Sequence, residues 1–154
     1  MASIEKFEDL VCWQKARLLA KEIYGTFKIC PDHGLKNQIQ RAAVSIMSNI
    51  AEGFERGTKQ ELVNYLFIAK GSAGEVRSQL YIALDAGYLN IETFKYLNSL
   101  VIECSRLIQS FSGKVKSSMH SGLHFKQVPK SDPMKEITMQ HSPELYERFY
   151  GKDK

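Results

Sequence analysis

The chain has little cysteine, and none of it is arranged to build anything. Cys12, Cys30 and Cys104 are odd in number, far apart and without CxxC spacing, which excludes a fully paired disulfide framework and a zinc ribbon and leaves reduced, mostly buried thiols. Long apolar runs are missing too. No window approaches the roughly 20 apolar residues of a membrane span, and the first residues, MASIEKFEDL, carry acids instead of the apolar stretch of a signal peptide. The expectation is a cytoplasmic protein with no membrane role.

Catalytic signatures are equally scarce. There is no HExxH, no Walker loop and no GxSxG. Bundle enzymes that hold two metals use a Glu followed by His at the third place, and none of Glu52, Glu55, Glu61 and Glu75 is so followed. Three of the 4 histidines fall in the last 42 residues, and His33 reads as an exposed loop histidine. No stretch shows the alternation of a sheet. These observations predict a non-enzymatic, all-α protein with no cofactor, no metal and no small-molecule substrate.

What is present is amphipathic helix. In GLKNQIQRAAVSIMSNIAEG, Gly34 to Gly53, one side of a 100° wheel holds Leu35, Ile39, Ala42, Ala43, Ile46, Met47 and Ile50, and the other holds Asn37, Arg41, Ser45, Ser48 and Glu52. Val44 and Ala51 widen the apolar side beyond what one core requires. The polar side is unusual in being filled with small hydroxyls. Upstream, Leu10, Trp13, Ala16, Ala20, Ile23, Tyr24 and Phe27 trace a first helix over about 9–29, with Asp9 as N-cap and Val11, Leu18 and Leu19 off the stripe. Pro31, Asp32 and Gly34 form the following turn.

The second helix is expected over 34–56. Thr58-Lys59-Gln60-Glu61 then fits a capping box and opens a third helix over 58–86, with Leu62, Leu66, Ala69, Ala73, Val76, Leu80 and Leu84 as its stripe. Gly71 and Gly74 sit inside it at about 1 kcal/mol each relative to Ala. With Ser78 they form a line of small residues that suits close helix packing, inside the bundle or across subunits. A fourth helix over 91–111, capped by Asn90, carries Phe94, Leu97, Val101, Cys104, Ile108 and Phe111. The fold expected is an antiparallel up-and-down four-helix bundle over residues 1–111. Residues 112–154, rich in Ser, Gly, Lys and Pro, read as a flexible C-terminal tail with a short helix near 143–150.

Charge is concentrated in that tail. Residues 1–112 hold 13 Lys and Arg against 12 Asp and Glu, whereas residues 113–154 hold 8 against 5. A near-neutral body meets an anionic polymer only through local asymmetry or by repeating a patch in an oligomer. Lys36, Arg41, Arg56 and Lys59, flanking the second helix and its following turn, are the nucleic-acid-binding candidates. Their alternative is as ordinary solvated charges, or for Arg41 a pairing with Glu52 across a subunit contact. The surplus apolar residues Val11, Leu18, Leu19, Val44, Met47 and Ala51 are candidates for an oligomer interface, because a monomer exposing them all would carry a large patch.

The segments FEDLVCWQKA, GLKNQIQRAAVSIMSNIAEG, and FIAKGSAGEVRSQL with its following DAGYLN, over about residues 7–111, resemble in order and spacing a bacterial family of four helix bundle proteins encoded in intervening sequences of large-subunit ribosomal RNA genes. The resemblance implies an up-and-down bundle and ring-like homopentamers. A related branch serves as the accessory protein of diversity-generating retroelements, where a basic pentameric ring works with a reverse transcriptase and its RNA. This chain, with its near-neutral body, is more similar to the ribosomal branch. Two functional expectations follow: an oligomeric scaffold that binds RNA or a nucleoprotein such as a reverse transcriptase complex, and alternatively a protein-protein interaction module without nucleic-acid binding, using the polar stripe of the second helix and the aromatic tail.

Overall fold

The computed structural model describes residues 4–119 together with Met139, Gln140, Pro143, Glu144 and Glu147. A short 3-10 turn at Phe7–Asp9 leads into α1 (Val11–Thr26), α2 (His33–Glu55), α3 (Lys59–Asp85) and α4 (Ile91–Met119). Helix α1 packs on α2 and α4, and α3 does the same from the opposite corner. Contacts along α2 and α3 run in opposite order. Ser45 meets Ser72, while Glu52, further along α2, meets Tyr65, further back on α3. The fold is therefore an antiparallel up-and-down four-helix bundle.

Three of the helices begin where local chemistry supplies an acceptor. Asp32 caps α2 by accepting from the Leu35 N–H at 2.9 Å, so His33 lies in the first turn of that helix and not in a loop. Thr58 caps α3 by accepting from the Glu61 N–H, and its hydroxyl in turn donates to the Glu61 carboxylate at 3.0 Å. Asn90 caps α4 through the Thr93 N–H. Helix α1 departs from expectation. Asp9 belongs to the 3-10 turn and pairs with Lys6, and the residue at the cap position is Leu10, which offers no side-chain acceptor. Phe7 instead sets the entry angle by packing edge-on against Trp13, with ring centroids 5.1 Å apart.

The core contains most of the stripes expected of the four helices, with Ile23, Ile39, Ile46, Ile50, Leu66, Leu80, Leu97 and Ile108 almost fully enclosed. Tyr24, expected on the α1 stripe, instead faces out, 100° around the helix from the enclosed Ile23. Two expectations about the core's limits are corrected. Leu19 is 0% exposed and belongs to the core, so it is not available to an oligomer interface; its neighbour Leu18, 100° away on the wheel, is the one that faces out. Helix α4 does not stop at Phe111 but continues to Met119, burying Ser112 and Val115. The Lys59 ammonium, from the first turn of α3, donates to the Ser118 carbonyl at 2.8 Å and ties the two helices together there. The rest of the expected tail lies outside the described residues, and of the short helix near 143–150 Pro143, Glu144 and Glu147 are helical and exposed.

Of the two settings expected for the line of small residues on α3, inside the bundle or across subunits, the first is excluded. Gly71, Gly74 and Ser78 are exposed, and a Cβ built on either glycine would meet nothing within 4 Å. They do not admit another helix of the bundle, because they lie on the face of α3 opposite Leu66 and Leu80. The glycine that does is Gly53 on α2, where a Cβ would fall 2.6 Å from the Tyr65 Cβ and 3.3 Å from the Leu62 Cα.

Candidate interaction surface

The unusual hydroxyls of α2 serve the seam with α3. The Ser45 and Ser72 hydroxyls share a hydrogen bond of 2.9 Å, and the Asn49 amide donates to both the carbonyl and the hydroxyl of Ser45. Ser72 also donates back to the Ile68 carbonyl. Small hydroxyls let two backbones approach while satisfying each other, which a Lys or Glu at those positions could not do. Ser48, one turn on, remains exposed.

The four basic candidates do not converge. Lys36 and Arg56 are twenty residues apart on or beside α2, roughly 30 Å along the axis. Lys59 is buried and its ammonium is committed to Ser118. Arg56 donates to Glu52 at 3.1 Å and to the Tyr65 hydroxyl at 3.0 Å, approaches Glu61 at 3.7 Å and lies over the Tyr65 ring. Arg56 and then the Tyr65 hydroxyl hold the Glu52 carboxyl below its ordinary range, so the Glu52 partner expected for Arg41 is already engaged. Lys36 donates to the Lys28 carbonyl, closing the α1–α2 loop. Only Arg41 of the four is exposed without a hydrogen bond or ion pair among the described residues.

Arg41 lines a cleft of about 510 Å³ between α2 and α3, with Gln38, Ala42 and Ser45 on its own helix and Glu75 and Gln79 opposite. The Gln79 Oε1 atom itself is buried, without a hydrogen-bond partner among the described residues. Beside the cleft runs the outer face of α3. Phe67, Ile68, Tyr81 and Ile82 are between 45% and 57% exposed, and Gly71, Gly74 and Ser78 lie between them. The Lys116 ammonium sits 4.4 Å over the Phe67 ring, and Tyr81 packs edge-on against Phe94. Sequence reasoning misses these large apolar residues, although Phe67 and Tyr81 are 14 residues apart and therefore share a face. Of the other interface candidates, Val11 and Leu18 are exposed on α1, while Val44, Met47 and Ala51 are half-buried on α2.

The interior offers nothing reactive to solvent. All three thiols are free and buried, and burial pushes Cys12 up to about 11 and Cys104 to about 12, which keeps both protonated and poorly nucleophilic. Among the described residues no three His, Cys, Asp or Glu side chains cluster to hold a metal, and no helix is long and apolar enough to cross a membrane.

The family described as 23S rRNA-intervening sequence protein matches the chain over residues 8–110. Among solved structures, a protein of unknown function from the S23 ribosomal protein family of Bacteroides thetaiotaomicron VPI-5482 aligns with a TM-score of 0.63 at 24% identity, covering 66% of this chain and 98% of that one. At that identity the likeness shows a shared fold. No curated protein matches.

Proposed function

The chain belongs to the 23S rRNA-intervening sequence protein family, and from that premise we propose that it is a self-assembling scaffold with no catalytic chemistry of its own. The observation that carries this reading is the outer face of α3, where Phe67, Ile68 and Ile82 are exposed around two glycines whose helical cost nothing inside the bundle repays. A helix normally turns a charged face to water; one that turns apolar and small residues outward is shaped to meet another surface. Five copies is the number that the family resemblance favours. Light scattering of the full chain at micromolar concentration is the test: an oligomer whose mass falls in Ile82→Glu, with helix content unchanged by circular dichroism, supports the reading. A monomeric wild type overturns it.

A second reading, RNA or an RNA–protein complex such as that of a reverse transcriptase as the partner, is favoured by Arg41 alone, the one basic candidate left exposed and unpaired. Assembly would repeat Arg41 and Lys36 around an axis, and weak contacts so repeated act together. Affinity for RNA should then fall steeply with salt, and Lys36→Glu with Arg41→Glu should remove it. RNA binding indifferent to salt and to both reversals would eliminate this reading.

A further inference from the structure

The α2–α3 cleft holds two charged groups for which the described residues supply no partner. Among those residues Arg41 on one wall makes no hydrogen bond or ion pair, and neither does Glu75 on the other. An occupant that fits both walls brings both signs of charge, an acid for Arg41 and a base for Glu75. A nucleic-acid strand fails that requirement: its phosphates would suit Arg41 and be repelled by the carboxylate across the cleft.

We infer that the cleft receives a second copy of this chain, with Arg41 of one copy pairing with Glu75 of the other. The inference rests on the self-assembly reading and adds where the copies meet. A surface carrying Arg41 and Glu75 together is complementary to itself, and a two-fold contact would form the pair twice while a ring contact would form it once. The planar fork of an arginine presents two parallel N–H groups to a carboxylate, which an ammonium does not. Ile68 and Ile82 lie two turns either side of Glu75 on the same face of α3, so one contact would cover both. Under this arrangement Arg41 is an assembly residue and not an RNA contact.

The experiment is a charge swap read by solution mass. Full-length wild type, Arg41→Glu, Glu75→Arg and the double variant are compared by light scattering and sedimentation over a concentration series, with circular dichroism to check helix content. Both positions are exposed, so the variants should fold; Arg41→Gln and Glu75→Gln provide milder versions. Each single reversal should weaken assembly at least tenfold, and the double variant should recover most of it. Arg41→Lys should recover less than the double variant. If wild type is a monomer, the assembly reading itself fails. If wild type assembles and Ile82→Glu weakens it while the single reversals do not, assembly stands and the cleft is overturned as its seat. The cleft is overturned in the same way if both reversals weaken assembly and the double variant stays dissociated, or if Arg41→Glu abolishes poly(U) binding while leaving the mass unchanged.

Discussion

The two ends of the α2–α3 seam are built from the same pair of helices and differ in whether the chain completes them. Near the connecting turn everything is closed. Gly53 lets Tyr65 and Leu62 approach, Glu52 is shared by Arg56 and the Tyr65 hydroxyl, and Thr58 and Glu61 cap each other. Towards the other end Arg41, Glu75 and Gln79 line an open cleft without a bond between them. Partners near the turn are close in sequence and reach each other as soon as the hairpin forms. Away from it the seam depends on long-range geometry, and it is there that Arg41 and Glu75 have no partner among the described residues.

The strongest way to break this contrast is to open the closed end. Gly53→Leu would force a side chain into a space where even a Cβ is 2.6 Å from its neighbour, and about 3 kcal/mol of stability should be lost. Urea unfolding at fixed protomer concentration measures it; an unchanged midpoint would mean that the two helices separate there freely. Next in size is Lys59→Met. It keeps the buried stem but removes the donor to Ser118, and a lost hydrogen bond to a charged group is worth roughly 2 kcal/mol. Amide exchange should quicken over residues 115–119, and a uniform change along α4 would contradict a local anchoring role.

On the open side the sign reverses. Gly74→Ala meets nothing within 4 Å and should raise stability by about 1 kcal/mol through helix propensity alone. A loss instead would show that something approaches that glycine in solution. The smallest effect concerns acid. Because Arg56 and Tyr65 depress the Glu52 carboxyl, its contribution is complete above the ordinary carboxylate value of 4.5 and disappears as pH falls through the depressed one. Arg56→Ala should flatten that part of the stability profile measured by thermal melting, whereas an identical acid limb in both proteins would deny the coupling.

What is readable in the sequence divides along the same line. Helical periodicity locates all four helices, and Thr58 and Asn90 identify two of the caps, since these depend on neighbours within a few residues. Asp32 reads as a turn residue in the sequence and is a cap in the fold. Periodicity cannot decide between Leu18 and Leu19, because adjacent residues 100° apart can exchange roles with a slight rotation of the helix. It also misses the last turns of α4, where Ser112, Val115 and a lysine from another helix replace the usual apolar density. Of the basic candidates, Arg56 and Lys59 are absorbed by contacts that only the folded chain reveals. The apolar outside of α3 is legible but easily overlooked, since attention to the inward stripe hides residues on the opposite side.

The buried thiols of Cys12 and Cys104 make the protein its own stopwatch. An alkylating reagent reaches them only while α1 and α4 stand apart, so their labelling rate is the free-thiol rate multiplied by the fraction of time the bundle spends open. Cys30, at the α1–α2 loop beside a surface cleft, should label earlier and serve as the internal reference. Should copies of the chain clasp one another, the two inner hands of this watch would run slower as concentration rises, recording association from within a wild-type molecule that carries no probe.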